Sequence, residues 1–304
     1  MSVGSTVSAK EQIPIETSLA SIRQITQLDQ LTALRDERPK PVSKERWDAA
    51  IDARVAELRG KQAHHALEQK HIAEADSLIT LAFESSADAP LLSLLAEVQL
   101  QEGRKQDALG TLLVDAYLHG ADASLRQAER MYNDLFPSSL DFLTYQDKFF
   151  ANYRKLQARQ LVSTPFEPEE APGLLKSHLV FPGDITTNIV LVLVDNTLTD
   201  QDITSLLELS QALSSLRIPL RFLYCGNDAV TGQRLQQRMG NLKLIFDKKG
   251  MKAADKLGVT RVPAVLLLRQ DRTIVGRWEG SHTALAQVIR EALTLLSLTT
   301  DQER

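Results

Sequence analysis

The chain has 304 residues, a length that suggests two domains with cores large enough to need no disulfide. Charged residues make up 24% of the chain, and a net charge of −4 predicts no broad basic surface for nucleic acid or anionic membranes. No apolar run approaches the ~18 residues that a transmembrane helix needs, so we expect no membrane insertion.

The residues at the start of the chain contain no apolar stretch of the kind found in secretory signals. We therefore expect a cytoplasmic protein, although a periplasmic location stays open if a signal peptide was removed. Cys225 is the single cysteine, which excludes an internal disulfide and leaves the compartment undecided.

Residues 15–162 are predicted to form an all-helical domain, because Ala, Leu, Gln and Glu recur there at helical spacing. A helix is expected to begin near residue 44, after Ser43 and two nearby prolines. Helices at about 16–36, 44–60 and 122–160 would flank a central pair of hairpins. Residues 1–14 are expected to be disordered.

An internal repeat occurs within this helical region. Four positions are matched by similar residues 33 positions later: Ala63, Lys70, Ala75 and Ile79 by Ala96, Gly103, Ala108 and Leu112. The stretch LLAEVQLQEGRKQDAL at 94–109 resembles a tetratricopeptide repeat, whose period is about 34 residues. It departs from that pattern at Gln99, where an aromatic residue is expected. The alternative is an irregular helical bundle.

A segment at 163–174, rich in proline and acidic residues, is predicted to be a stiff linker. After it, strands and helices alternate over 175–298, followed by an expected disordered tail at 299–304. Strands are predicted at 189–194, 217–225, 242–246, 264–269 and 273–279, with helices at about 200–215, 231–239, 250–257 and 282–296. This order favours a parallel sheet core with an antiparallel edge pair.

The segment 246–280 combines a helix that ends at Gly258, the pair Val262-Pro263, an apolar strand, a polar turn and a second strand. This pattern resembles the second half of thioredoxin-like proteins, particularly those related to TlpA and the peroxiredoxins. The resemblance implies a C-terminal thioredoxin-like α/β domain, and hence an α plus α/β fold class for the whole chain. It also implies a cis peptide bond between Val262 and Pro263.

The turn that would carry the chemistry of such a domain has no cysteine. Thr197-Leu198-Thr199-Asp200 follows the first strand, whereas a dithiol oxidoreductase needs two thiols at this turn. A hydroxyl cannot cycle through a disulfide, so redox exchange at this turn is excluded. By the resemblance, Thr197, Leu198, Thr199, Val262 and Pro263 would form a peptide-binding groove without redox chemistry. The alternative is that the fold serves only as a scaffold.

Two further positions have the residue types of a reactive or metal-binding site. Cys225 follows a predicted strand and, as a lone thiol, would react with peroxide or form a mixed disulfide if its pKa were low; the alternative is a small buried hydrophobic residue. His64, Glu68 and His71 fall on one face of a continuous helix and would suit a divalent metal ion. The alternative there is a solvated polar face, and we expect no cofactor.

An aromatic cluster at helical spacing covers residues 131–153. Such a cluster forms either an exposed groove for a partner or the core that joins the helices to the next domain. The candidate interface residues are Tyr132, Phe136, Phe142, Tyr145 and Phe149.

No phosphate loop, nucleophile elbow or paired ligand cluster occurs in the sequence. The favoured hypothesis is a non-enzymatic interaction protein, namely an assembly or chaperone-like factor with a protein partner. Bacterial holdase-type chaperones join similar domains in the reverse order, and thioredoxin-like pilin-assembly proteins of conjugative secretion systems have a similar strand, helix and Val-Pro pattern. The alternative hypothesis is a single-cysteine thiol protein that uses Cys225.

Overall fold

The structure is a computed structural model. It describes residues 19, 21–39, 42–87, 90–139, 141–163, 189–226, 228–246, 254, 257–269, 274–280, 282 and 284–302. The expected disordered N-terminus and nearly all of the predicted linker lie outside the described residues.

The first half of the chain is helical, as predicted. Its helices are α1 (Leu28–Ala33), continued by a 3-10 turn (Leu34–Glu37), α2 (Lys44–Glu68), α3 (Ile72–Ser85), α4 (Leu92–Gln101), α5 (Lys105–His119), α6 (Asp122–Leu135) and α7 (Phe142–Ser163). Ser43 caps α2 as expected, because its Oγ accepts the amide N–H of Arg46 at 3.3 Å. Successive helices pack against each other along the chain.

The two central hairpins, α2–α3 and α4–α5, have matching turns at an offset of 33 residues. Lys70 and Gly103 occupy equivalent places and both have left-handed backbones, with φ of 62° and 80°. The next amide donates to a carbonyl at equivalent positions as well: His71 N–H to the oxygen of Ala66 at 2.9 Å, and Arg104 N–H to that of Gln99 at 2.8 Å. The repeat seen in the sequence therefore corresponds to two turns with the same backbone geometry.

The alanines of the repeat lie where the helices come close together. Ala63, Ala75, Ala96 and Ala108 are all fully buried. A methyl side chain at such positions allows helix axes to approach more closely than a larger residue would. The small residues thus explain why these short helices pack as hairpins.

The second half contains a mixed five-stranded sheet, which agrees with the predicted parallel core and antiparallel edge pair. The strands are β1 (Ile189–Val194), β2 (Leu220–Tyr224), β3 (Leu244–Phe246), β4 (Ala264–Leu268) and β5 (Ile274–Glu279), in the spatial order β3-β2-β1-β4-β5. Strands β1, β2 and β3 are parallel, while β4 runs antiparallel to both β1 and β5. The central strand β1 is apolar throughout because both of its faces are buried.

Among the described residues, the helices that accompany the sheet are α8 (Asp200–Ser215), α9 (Ala229–Met239) and α10 (Leu285–Gln302). One face of the sheet packs against α8 and α10 in the largest apolar cluster of the described residues. The last helix continues to Gln302, so the prediction of a disordered tail from residue 299 was wrong over 299–302. The sequence there has no glycine or proline to end a helix.

Helix α7 belongs to both halves of the molecule. Its first turns pack against α6, whereas Ala158 and Leu161, near its end, are buried in the core of the sheet. Gly276 of β5 allows this close approach, because a Cβ atom there would lie 2.5 Å from Leu161 Cδ2 and 3.1 Å from the Leu161 carbonyl oxygen. Helix α7 therefore contributes side chains to the apolar cores of both halves.

Replacing Gly276 with alanine is expected to lower the free energy of unfolding by about 1–3 kcal/mol, because the added methyl overpacks the contact with α7. Gly110 of α5 is a matched control, since a Cβ there meets no atom within 4 Å. Gly110→Ala is expected to stabilise the protein by roughly 0.5–1 kcal/mol through helix propensity. Urea denaturation of both variants tests this; equal effects of one sign would contradict the close approach of α7 to β5.

Candidate functional site

The turn after β1 is held by a buried carboxylate. Asp195 is 1% exposed, and its Oδ1 accepts hydrogen bonds from the backbone N–H of Thr197 at 2.8 Å and from the Thr197 hydroxyl at 2.6 Å. A short aspartate side chain that folds back on the chain in this way fixes a tight turn. The Thr197 side chain is left at the surface.

Helix α8 begins directly after this turn with a reciprocal cap. The Thr199 hydroxyl oxygen accepts the N–H of Asp202 at 3.2 Å, while Asp202 Oδ2 accepts the N–H of Thr199 at 2.8 Å. This is a capping box, in which each residue satisfies a backbone donor of the other. Thr199 is therefore the N-cap residue of α8.

Arg238 of α9 supports the other side of the turn. Its Nη2 donates to the carbonyl oxygen of Leu198 at 3.0 Å and to Asp200 Oδ1 at 2.9 Å. Leu198 itself is buried at 3% exposure, so it anchors the turn and contributes little surface for a partner. Of the three predicted turn residues, Thr197 and Thr199 are the exposed ones.

The segment around Pro263 lies at the same end of the sheet. The register of β1 and β4 places Leu193 opposite Ala264, so the turn after β1 and the residues before β4 are neighbours. The expected cis bond between Val262 and Pro263 is confirmed. Pro263 is buried and its carbonyl oxygen accepts the N–H of Gly280 at 2.9 Å, whereas Val262 is half-buried.

The backbone of Val262 lies at this end of the sheet. Among the residues that the structure describes, none forms a backbone hydrogen bond with its N–H or carbonyl. The structure thus brings the predicted groove residues to one end of the sheet, with Thr197, Thr199 and Val262 accessible and with Leu198 and Pro263 as buried supports.

Arg46 of α2 completes this site from the helical half. Its Nη2 lies 2.8 Å from Asp195 Oδ2, and the two side chains are only 7% and 2% exposed. Neither residue was recognisable as part of a site from the sequence. An arginine in the first turn of a helix is normally expected at the surface. No local sequence feature links it to a position 149 residues later. The only available signal was an aspartate directly after a wholly apolar strand.

Cys225 is fully buried in the second apolar cluster of the sheet. Its N–H donates to the carbonyl oxygen of Val194 at 2.8 Å, and its Sγ lies 3.7 Å from the carbonyl oxygen of Leu223. A reactive thiol must be reached by its oxidant, and this one is enclosed by core side chains. The position favours the structural interpretation of Cys225.

The proposed metal face does not form, because α2 ends at Glu68. Lys70 then turns the chain, so His71 precedes α3 and lies 3.4 Å from Glu74. His64 stays on α2, at 3.7 Å from Glu68. A common face for the three candidates required a continuous helix through residue 71, and the chain turns at Lys70 instead. Across the described residues, no group of three potential His, Cys, Asp or Glu ligands is found.

The predicted aromatic interface packs mainly on itself. Tyr132 and Phe142 are 4% and 6% exposed, and Tyr132 stacks on Tyr145 with ring centroids 4.6 Å apart. Phe136 contacts Tyr132, and Phe149 contacts Tyr145. These rings pack against one another between α6 and α7, and Phe136, Tyr145 and Phe149 are half-buried. The packing favours a core over an open groove.

A buried histidine joins this core to the sheet half. His282 is 3% exposed; its Nδ1 accepts the N–H of Ala284 at 2.9 Å, and its Nε2 lies 3.1 Å from Gln157 Oε1 of α7. The rings of Tyr117 and Trp278 meet the imidazole edge to face. Burial, with a smaller effect from nearby His119, lowers the pKa of His282 to about 4. From the sequence, His282 is placed only at the start of the helix predicted at 282–296.

No protein-family model, curated protein or solved structure matches this chain. Within the described part of the chain, no helix is both long enough and apolar enough to cross a membrane.

Proposed function

We propose that this protein is a non-enzymatic binding protein whose sheet half is a redox-inactive thioredoxin-like domain that takes an extended segment of a partner protein. The observation that carries the proposal is an accessible site at one end of the sheet. It is formed by Thr197, Thr199 and the backbone of Val262, and is called the edge below. An extended peptide gains affinity by pairing its main chain with unpaired backbone groups. Within the part of the chain that the structure describes, the Val262 N–H and carbonyl have no backbone partner.

The residue types at this edge support binding without chemistry. The turn residues carry hydroxyls and carboxylates that are engaged with one another or with Arg46 and Arg238. A redox turn needs a thiolate that is free to attack. Here the same place is occupied by a helix cap, which stabilises the turn and leaves no thiol.

The helical half supports a role in assembly or chaperoning. Its two hairpins have the 33-residue offset expected for tetratricopeptide-like repeats, which present extended surfaces to protein partners. A bacterial secretion, conjugation or pilus-assembly system is the setting that this combination suggests. The protein would act there by holding a partner chain.

Photo-crosslinking from the edge tests this function. The full-length protein would carry benzoylphenylalanine at Thr197 or Val262 and, as a matched control, at Gln211, which is exposed farther along α8. After irradiation in the native host, both edge positions are expected to give adducts with the same partner, and Gln211 none. A single partner indicates an assembly factor, and many unfolded clients indicate a holdase. Equal adducts from Gln211, or none from either edge position, would contradict the proposal.

A further inference from the structure

We infer that Arg46 is a positioning residue of this edge, through which the helical half sets the shape of the turn at Thr197. The inference rests on the proposed function of the edge and names what controls it. Arg46 touches neither Thr197 nor Val262 in any recorded hydrogen bond, so its effect passes through Asp195.

The two oxygens of the Asp195 carboxylate have separate tasks. Oδ1 holds the backbone and hydroxyl of Thr197, and Oδ2 holds the Arg46 guanidinium. Because the carboxylate is a rigid planar group, both oxygens move together when its side chain rotates. The position of Arg46 is therefore linked to the hydrogen bond that closes the turn.

Loss of Arg46 would leave the carboxylate charged and almost fully enclosed. A buried charge without its partner is strongly unfavourable, and it is relieved by rotation toward water. That rotation would withdraw Oδ1 from the Thr197 N–H and open the turn. Thr199 is held differently, by Asp202, so its N–H would keep its partner.

This difference within one turn gives a direct measurement. Amide hydrogen exchange, followed by NMR in the full-length protein, would compare Thr197, Thr199 and the core strand residue Leu191. In Arg46→Met, exchange at Thr197 is expected to accelerate by about tenfold or more relative to Thr199 and Leu191, as the loss of one closing hydrogen bond implies. Arg35→Met is the control, because Arg35 makes only exposed ion pairs with residues of α2.

A merely structural role would give a different result. If Arg46 only stabilised the whole protein, exchange of the core amide of Leu191 would accelerate while the ratio of Thr197 to Thr199 stayed the same, and that outcome would overturn the inference; so would unchanged exchange at Thr197. Should Arg46→Met fail to fold, Arg46→Lys is the second variant, because lysine keeps the positive charge on a shorter side chain. It is expected to give a smaller increase in the exchange rate, confined to Thr197.

The two proposals can fail separately. Crosslinking from Thr197 in the otherwise unchanged protein tests partner binding alone, and the exchange ratio tests positioning alone. If both hold, Arg46→Met is expected to weaken the Thr197 adduct more than Arg35→Met does. Equal adducts in the two variants would contradict control of the edge by Arg46.

Discussion

Replacing Tyr132 with alanine is expected to lower the free energy of unfolding by about 3–5 kcal/mol. Tyr132 is almost fully buried at the centre of the aromatic core between α6 and α7, where it contacts Phe136, Phe142 and Tyr145. Truncation removes these ring contacts and leaves a cavity that the helices cannot fill without moving.

The matched control is Leu143→Ala on α7. Leu143 is 67% exposed although it is a large apolar residue next to the same core, so its loss is expected to change stability by less than about 0.5 kcal/mol. Denaturant titrations of both variants provide the measurement. If Tyr132→Ala left stability unchanged and abolished partner binding instead, the ring would be an interface residue and the assignment to the core would be wrong.

Acidification is expected to remove about 3 kcal/mol of stability through His282 between pH 7 and pH 4. The pKa of His282 is about 4 in the folded protein, against an ordinary value near 6.5 in the unfolded chain. The unfolded state therefore binds the additional proton first as the pH falls. The contribution is fully present above pH 6.5 and is lost as the pH falls toward 4.

The geometry explains why the folded state resists this proton. The Nδ1 atom already accepts the N–H of Ala284, so a proton there would place two donors against each other. The Nε2–H is directed at Gln157, and the Tyr117 and Trp278 rings exclude water from the imidazole. A charged imidazole would be poorly solvated at this junction of the two halves.

The variant His282→Asn separates this effect from general acid unfolding. Its side-chain oxygen can still accept the Ala284 N–H but does not titrate, so it is expected to lose about 3 kcal/mol less than the unmodified protein over this pH range. His64→Asn, at an exposed position of α2, serves as the control and should leave the pH dependence unchanged. Parallel pH curves for the unmodified protein and His282→Asn would show that His282 does not titrate as described.

Several polar contacts join the two halves of the molecule. Arg46 reaches the turn after β1, and Gln157 of α7 reaches His282 ahead of α10. A further polar contact, between Arg154 Nε and Glu291 Oε1 at 3.0 Å, joins α7 to α10. Leu161 also packs on Gly276. Because these contacts join the two halves, the site at the end of the sheet and the helices are best studied in the full-length chain.

Much of the local structure could be predicted from the sequence. The order of helices and strands followed from apolar periodicity, because that pattern reports which face of an element is buried. The cap of α2, the turn at Gly103 and the cis bond before Pro263 also depend on residues close together in the chain. The absence of cysteine from the turn excluded redox exchange there, since no packing arrangement can supply a missing thiol.

Which polar and aromatic residues meet depends on the packing of distant parts of the chain and could not be predicted from the sequence. The pairing of Arg46 with Asp195 and of Gln157 with His282 joins residues far apart in the chain, where neither partner carries a local mark of burial. The same spacing of aromatic residues serves a core or a groove equally well, and only packing distinguishes them. His71 left the helix face because a single left-handed residue, Lys70, ended the periodicity. Local sequence patterns determine helices and strands. The energy of burying a charge or an aromatic ring depends instead on which residues the rest of the chain places against it.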